Sequence, residues 1–449
     1  MNNTDQNAAQ NAEALRDKLN RAISETVLLR GGYADDIRRF SRNRKLPMDI
    51  LIKLLLTMTG GPLNRELYDA GVDIALSSFI ERRKGVSYAC FLDIMLRFND
   101  LCDDTETIKG YRLLAIDGST VPLPRNPGSK NHYTSDANPR GWNNIHCNLL
   151  LDIMAHTFDD CYVGEGDSRR SHDEQGALYS LIYKRKFNQP VILLLDRGYE
   201  SYSSIAHLQS IPNLYFLLRV KQGQGALRPV RDLTMEEIDR DLQWTITTRQ
   251  TNEAKENGWI FLQTGSKKGK ANSPNTRVTR WDFGHIDPYP MTCRAVRFKL
   301  PTGEFETLLT NLPRDEFCLS DLMALYAMRW QIETNIRFWK YAVGALALHS
   351  RTDELILQEL HAHLTMFNFC QRIFRGIEIP QKPGSKYQYA IDQTMGIYLC
   401  KKFIREPDFT GEKLIQDIKR YTQPIRPNRA DERNLKIKAA PPFTYRIPS

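Results

Sequence analysis

Residues 191–196, VILLLD, admit few structures. Five successive apolar residues that end on an acid form a short strand, and a strand that is apolar on both sides is buried on both faces. The chain therefore needs a sheet with further structure above and below it. LLAI at 113–116 repeats the pattern: it runs into Asp117-Gly-Ser-Thr and then Pro122 and Pro124, which reads as a strand ending in a turn. Between the two, IHCNLLLDIMAHTF (145–158) reads as one strand and the start of a hairpin partner. Ser171 stands three residues before Glu174, the capping-box spacing, and opens a helix to about Lys184. YFLLRVK (215–221) adds another strand. The outcome is a mixed α/β layout with two acids at the C-terminal ends of strands, where open sheets bind ligands.

With 449 residues, two or three domains are expected. Residues 1–105 read as helical: ILIKLLLTM (50–58), a breaker at Gly60-Gly61-Pro62, then helices over Leu63–Gly71 and Tyr88–Phe98. A DNA-end reader and a helical cap without a DNA role both fit this segment. Residues 106–221 form the first part of the core. Residues 222–312 hold short alternating stretches, WTITTR (244–249), WIFLQT (259–264) and CRAVRFKL (293–300), and read as a β-rich insertion. Residues 313–378 complete the core, with one long helix from Ser320-Asp321 to about Val343 and a second over 354–376. Residues 379–449 are basic, with 14 Lys and Arg against 7 Asp and Glu, and become extended from about Tyr421.

No run of 18 apolar residues exists, and the opening MNNTDQNAAQNAE is polar, so neither a membrane span nor a secretory signal is expected and the location expected is cytoplasmic. The eight cysteines show no metal-ligand spacing and read as reduced thiols. A net charge of +9 permits a polyanionic partner without requiring one. GSKKGK (265–270) lacks the GxxxxGK[ST] order and is not a phosphate-binding loop.

The stretch YAMRWQIETNIRFWK places Tyr326, Arg329, Glu333 and Lys340 at offsets 0, 3, 7 and 14, within about 60° of one helix face. A solvated charged face gives the same stripe, but this one is set among Trp330, Ile332, Ile336, Phe338 and Trp339. Asp117 and Asp196, taken singly, read first as turn-formers and only second as ligands. Together with Glu333 they offer three hard oxygen donors, suited to Mg²⁺ or Mn²⁺ rather than zinc.

The spacing Tyr-x2-Arg-x3-Glu-x6-Lys resembles the hallmark of the YREK group of bacterial insertion-sequence transposases, within the DDE superfamily. IDGST around Asp117, LLDRGY around Asp196, FLLRVK (216–221), LLTNL (308–312) and LQELHAHLTMFNF (357–369) resemble the same group, so the likeness spans roughly residues 110–370. The resemblance implies a ribonuclease H-like core in which Asp117, Asp196 and Glu333 hold two Mg²⁺ or Mn²⁺ ions. It implies that Tyr326, Arg329 and Lys340 contact DNA phosphates, that double-stranded DNA is the partner as transposon end and target, and that a homodimer assembles on it. In relatives that pass through a DNA hairpin, an aromatic residue of the insertion stacks on a flipped base, so Trp244, Trp259 and Trp281 are candidates, each also explicable as core. Arg197 after the second acid either faces DNA or pairs with an acid, and Gly198 serves a tight turn or a close approach. Lys267, Lys268 and Lys270 form a basic loop, solvated or touching phosphate. The activity expected is cut-and-paste transposition; a nuclease or resolvase without strand transfer, and a non-catalytic DNA-binding descendant, are the alternatives.

Overall fold

Val191–Leu195 is a strand with all five residues buried, as its composition demands. In a computed structural model, the residues described are 3–36, 38, 40, 45–102, 105–164, 174–264, 280–284, 286–381 and 384–425. Eleven strands form one sheet: β1 (Thr107–Ile108), β2 (Tyr111–Leu123), β3 (His132–Ser135), β4 (Asn138–Asp152), β5 (Thr157–Val163), β6 (Val191–Leu195), β7 (Leu214–Arg219), β8 (Ile238–Thr247), β9 (Ile260–Phe261), β10 (Tyr289–Lys299) and β11 (Phe305–Thr310). Their order is β3-β4-β2-β6-β7-β11-β10-β8-β9, with β1 beside β2 and β5 beside β4. The centre is parallel, Ala115 facing Leu194 and Leu195 facing Leu218.

Two sequence expectations change here. Most strands of residues 222–312 continue the main sheet, because β11 pairs antiparallel with β7 and hands the sheet on to β10 and β8, while Gln263–Thr264 and Arg280–Trp281 pair as a two-stranded sheet of their own. Extending the sheet covers the backbone edge that β7 would otherwise expose. Asp117 does not end its strand either. β2 continues to Leu123 on β4 alone, since β6 stops at Leu195. Past Asp117, β2 has lost one neighbour, and Pro122 is tolerated on that freed edge.

Helices α1 (Asn3–Leu28), α2 (Met48–Thr57), α3 (Leu63–Asp69), α4 (Leu76–Lys84) and α5 (Ala89–Cys102) precede the sheet, while α6 (Glu174–Tyr183) and α7 (Tyr202–Gln209) interrupt it. After it come α8 (Leu319–Ala327), α9 (Trp330–Phe338), α10 (Asp353–Arg375), α11 (Gln393–Arg405) and α12 (Gly411–Arg420). Alternation along the central strands feeds two cores. Leu113, Ala115, Ile192 and Leu194 pack with the helices of both chain ends, whereas Leu114, Ile116, Leu193 and Leu195 pack with α6 and α7. The N-terminal helices share the first core with α10, α11 and α12 instead of closing one of their own. Among the described residues no helix is long and apolar enough to cross a membrane.

α10 lies at the middle of the first core, buried from Leu355 to Phe374 although it carries Gln358, Glu359, His361, His363, Asn368 and Arg372. Buried polar groups require partners, and two of these have them in full view. Asn368 accepts from the Phe158 amide at 2.7 Å and donates to the Phe158 carbonyl at 2.7 Å, where β4 and β5 slip register. Glu359 accepts from Arg83 at 2.8 Å, from the His349 amide at 2.7 Å and from Ser350 at 2.8 Å, with the Arg83 and Glu359 side chains each 2% exposed. Although burial opposes the charge, the Arg83 guanidinium and the His349 contacts hold the Glu359 carboxyl well below the usual range. Removing one partner of such a pair strands the other charge. Glu359→Ala is therefore expected to lower the unfolding free energy by about 3–5 kcal/mol, read from urea midpoints; a loss below about 1 kcal/mol contradicts the assignment.

Candidate active site

The acids gather where β6 stops and β2 runs on. Extending the Ala115–Leu194 register by two residues sets Asp117 and Asp196 in adjacent strands at one level of the sheet. Each acid is anchored by a following glycine amide: Gly118 N–H donates to Asp117 Oδ1 at 2.8 Å, and Gly198 N–H donates to Asp196 Oδ1 at 2.7 Å. Space around these glycines is short. A Cβ on Gly118 would stand 2.6 Å from His146 Nε2 and 3.2 Å from Asn148 Oδ1. A Cβ on Gly198 would overlap Glu174 Oε2 and stand 2.9 Å from Asp196 Oδ1. Glu174, which the sequence offered only as a helix-start residue, thus stands against the Asp196 turn. No sequence pattern marks that contact, because it joins α6 to a turn more than twenty residues away. Ser171 and the basic loop of Lys267, Lys268 and Lys270 lie outside the described residues.

The long helix expected over 320–343 is broken. α8 is capped by Asp321, which accepts from the Cys318 amide at 3.0 Å, and it ends at Ala327; α9 starts at Trp330, and Trp339–Val343 follows as a π-turn. The break and the π-turn let each polar residue take a different job. Tyr326 is buried and its hydroxyl donates to the Leu195 carbonyl at 3.3 Å, one residue before Asp196. Lys340 donates to the Thr120 carbonyl at 2.6 Å, three residues after Asp117, and burial lowers its pKa. Arg329, also buried, donates to Glu333 Oε1 at 2.9 Å. Of the aromatic surround, Ile332, Ile336 and Trp339 are buried, but Trp330 is 55% exposed, with Arg329 over its ring at 4.9 Å. Arg197 is exposed.

The tryptophans do not join this cluster. The row through Leu195 crosses Leu218, Leu309, Ala295 and Arg240. Since β8 runs antiparallel to β6, Trp244 lies four residues toward the opposite end of the sheet. Trp244 and Trp281 are buried in the second core at 8% and 3% exposure, and half-buried Trp259 precedes β9 at that same far end. Trp244 packs against Tyr202, and Trp281 against Tyr289.

Electrostatics records how close the acids are. Burial and then the charge of Asp196 push Asp117 up to about 7, with Glu333 adding to the rise and the Gly118 amide and Arg329 opposing it. Tyr199, fully buried beneath, is raised by burial and then by Glu174, Asp117 and Asp196. Like-charged carboxylates at this range repel unless a proton or cation lies among them. The donors are all hard oxygens, the chemistry of Mg²⁺ or Mn²⁺. Among the described residues no three carboxylate, imidazole or thiolate groups are close enough to hold an ion as they stand; Glu333 is engaged by Arg329.

Asp117 and Asp196 are thus faced by a segment that brings Glu333, Arg329 and Lys340 to the same end of the sheet. The family described as the transposase DDE domain matches residues 108–369, more than half the chain, and the chain belongs to that family. It is a transposase, a DNA-cleaving and strand-transferring enzyme. None of the curated proteins matches the chain. Among solved structures, the cryo-EM structure of the piggyBac transposase synaptic complex with hairpin DNA is similar at 12% identity and a TM-score of 0.40, covering 90% of this chain and 82% of that one.

The raised Asp117 pKa has a sign that can be checked. The folded chain keeps a proton that an unfolded aspartate, near 3.9, has released, so this group costs stability as pH rises from about 4 and the cost levels off above about 7. Asp117→Asn cannot ionise. In metal-free buffer it is expected to stabilise the chain by on the order of 1–3 kcal/mol at pH 8 and by less at pH 5. Equal urea-midpoint shifts at both pH values would show that Asp117 does not titrate in this range.

Proposed function

We propose that Asp117, Asp196 and Glu333 hold the catalytic cations of this transposase, that its core is ribonuclease H-like, and that it belongs to the YREK group of bacterial insertion sequences. The observation that carries this reading is the double fastening of the Glu333 helix: Tyr326 to the strand end before Asp196 and Lys340 to the strand beyond Asp117. This fastening supports a reading in which Glu333 is brought toward the two strand acids.

Asp117, Asp196 and Glu333 would hold two Mg²⁺ or Mn²⁺ ions, which would supply activation of water or a 3′-hydroxyl and stabilisation of the leaving oxygen. The chain's own groups do the positioning. The Gly118 and Gly198 amides each fix one oxygen of their aspartate. Arg329 pairs with Glu333 and its charge acts on Asp117, so a strand phosphate that reaches it competes with Glu333 and frees the carboxylate for a cation. Exposed Arg197 neutralises phosphate beside Asp196. Tyr326 and Lys340, both in use on backbone carbonyls, act as fasteners.

The reaction is cut-and-paste: nicking at each transposon end, then attack on target DNA by the freed 3′-hydroxyl. Two ends handled in concert call for a homodimer assembled on double-stranded DNA, with the N-terminal helices and the basic C-terminal region as its further contacts.

The test uses duplexes carrying the inverted repeats that flank the gene. With Mg²⁺ the protein is expected to cleave them and to join a pre-cleaved end to a plasmid. Glu333→Gln is expected to lose at least a thousandfold in both steps while still shifting the end duplex in a gel. Cleavage by Glu333→Gln at the parent's rate sinks the triad; cleavage without any joined product makes the enzyme a nuclease.

A further inference from the structure

Resting on the reading of Asp117 and Asp196 as catalytic acids, we propose that Tyr199 and Asn148 form a brace that sets the spacing of the two aspartates, which makes Tyr199 a positioning residue for DNA cleavage. The topology creates the need for it. Parallel pairing of β2 and β6 ends at Ala115 with Leu194, so both aspartates lie past the last paired row and the ladder does not reach them. Two carboxylates placed there repel each other across the gap.

β2 keeps its other neighbour, β4, on which Asn148 faces Gly118. The Asp196 turn is closed by Tyr199, whose amide donates to the Asp196 carbonyl at 3.2 Å while the Gly198 amide holds the Asp196 carboxylate. From this turn the Tyr199 hydroxyl donates to Asn148 Oδ1 at 3.3 Å. In the order β4-β2-β6 that contact skips a strand. Tyr199 leaves the end of β6, passes β2 on the face that carries α6 and α7, and fastens to β4. Gly118 stands in its path. It is not among the glycines with positive φ, and a Cβ on it would stand 3.2 Å from Asn148 Oδ1, the oxygen that accepts the Tyr199 hydroxyl.

Tyr199 and Asn148 are both buried, so water does not stand in for either partner. Burial and then the charges of Glu174, Asp117 and Asp196 raise the Tyr199 pKa, which keeps the phenol a neutral donor. A phenylalanine ring would fill the same place in the second core. The hydroxyl is the part that packing does not require, and it joins the turn of one acid to the strand beside the other. Misplacing a reacting group by about 1 Å costs on the order of a hundredfold in rate, so a loosened turn is felt in the chemical step before it is felt in DNA affinity.

The full-length protein, in excess over duplexes carrying the flanking inverted repeats, is followed through a single turnover with Mg²⁺, which reads the saturating rate and the affinity for the end separately. Parent, Tyr199→Phe, Asn148→Ala, the double variant, Asp196→Asn and Tyr202→Phe are compared, and circular dichroism reports folding. Tyr202 is the control: it is a buried tyrosine of the same core, and its hydroxyl accepts from the Arg228 amide at 2.9 Å. Tyr199→Phe and Asn148→Ala are each expected to slow the saturating rate at least about tenfold with end affinity within about twofold, the double variant to be no slower than the worse single, and Tyr202→Phe to keep the parental rate. In metal-free protein without DNA, amide hydrogen exchange of residues 196–199 is expected to quicken at least about threefold in Tyr199→Phe. Should Asn148→Ala unfold, the rate and exchange of Tyr199→Phe decide. With Asp196→Asn inactive, a parental rate or parental exchange in Tyr199→Phe, losses that multiply in the double variant, or an equal loss in Tyr202→Phe overturns the brace and leaves the triad intact. Parental cleavage by Asp196→Asn overturns the reading of the acids on which the brace rests.

Discussion

Two hydrogen bonds from helix side chains to strand carbonyls set the geometry on which the rest of the site depends. Tyr326 reaches the Leu195 carbonyl and Lys340 the Thr120 carbonyl, so the segment between them is stretched across β2 and β6 like a strap fixed at both ends. Both carbonyls lie beyond the last paired row of β2 and β6, Ala115 with Leu194. The same loss of pairing places Asp117 and Asp196 at the sheet's open end. One topological fact, the early stop of β6, therefore creates the acid site and the anchor points for the helix that faces it.

The strap would be useless on a soft support. It rests on α10, whose burial from Leu355 to Phe374 commits a polar helix to a water-free core. Each buried polar group without a partner costs about 1–3 kcal/mol, so the contacts of Gln358, Glu359 and Asn368 specify one register for that helix. Arg83 ties it to the N-terminal helices, and Lys401 of α11 donates to the Met58 and Val343 carbonyls, closing the end of the π-turn that carries Lys340. Both ends of the chain thus bear on the position of Glu333 without touching it.

The strands were legible because their burial is written in composition: VILLLD and LLAI can satisfy themselves only inside a sheet, and both became central strands. The polar stripe was legible as a set and misleading in detail. A 100° count assumes one unbroken helix, and the break after Ala327 with the π-turn at Trp339–Val343 turns a common face into three separate tasks. The strands of residues 222–312 were recognised singly, but alternation cannot say which edge a strand joins, and the open edge of β7 decided that. Glu174 was invisible for a different reason. Its contact with the Asp196–Gly198 turn appears only once both segments are folded.

Charge and burial oppose each other throughout this site, and the balance explains why its cations are spoken for. Arg329 lowers Asp117 only in part, since its hydrogen bond goes to Glu333, and Lys340 is spent on a backbone carbonyl, so burial and then the charge of Asp196 still leave Asp117 near 7. A site built for stability alone would pair each aspartate with a base. Leaving them unneutralised makes the metal-free fold less stable than it could be, and stores that deficit as affinity for the first cation to enter, since whatever binds the folded state alone recovers it.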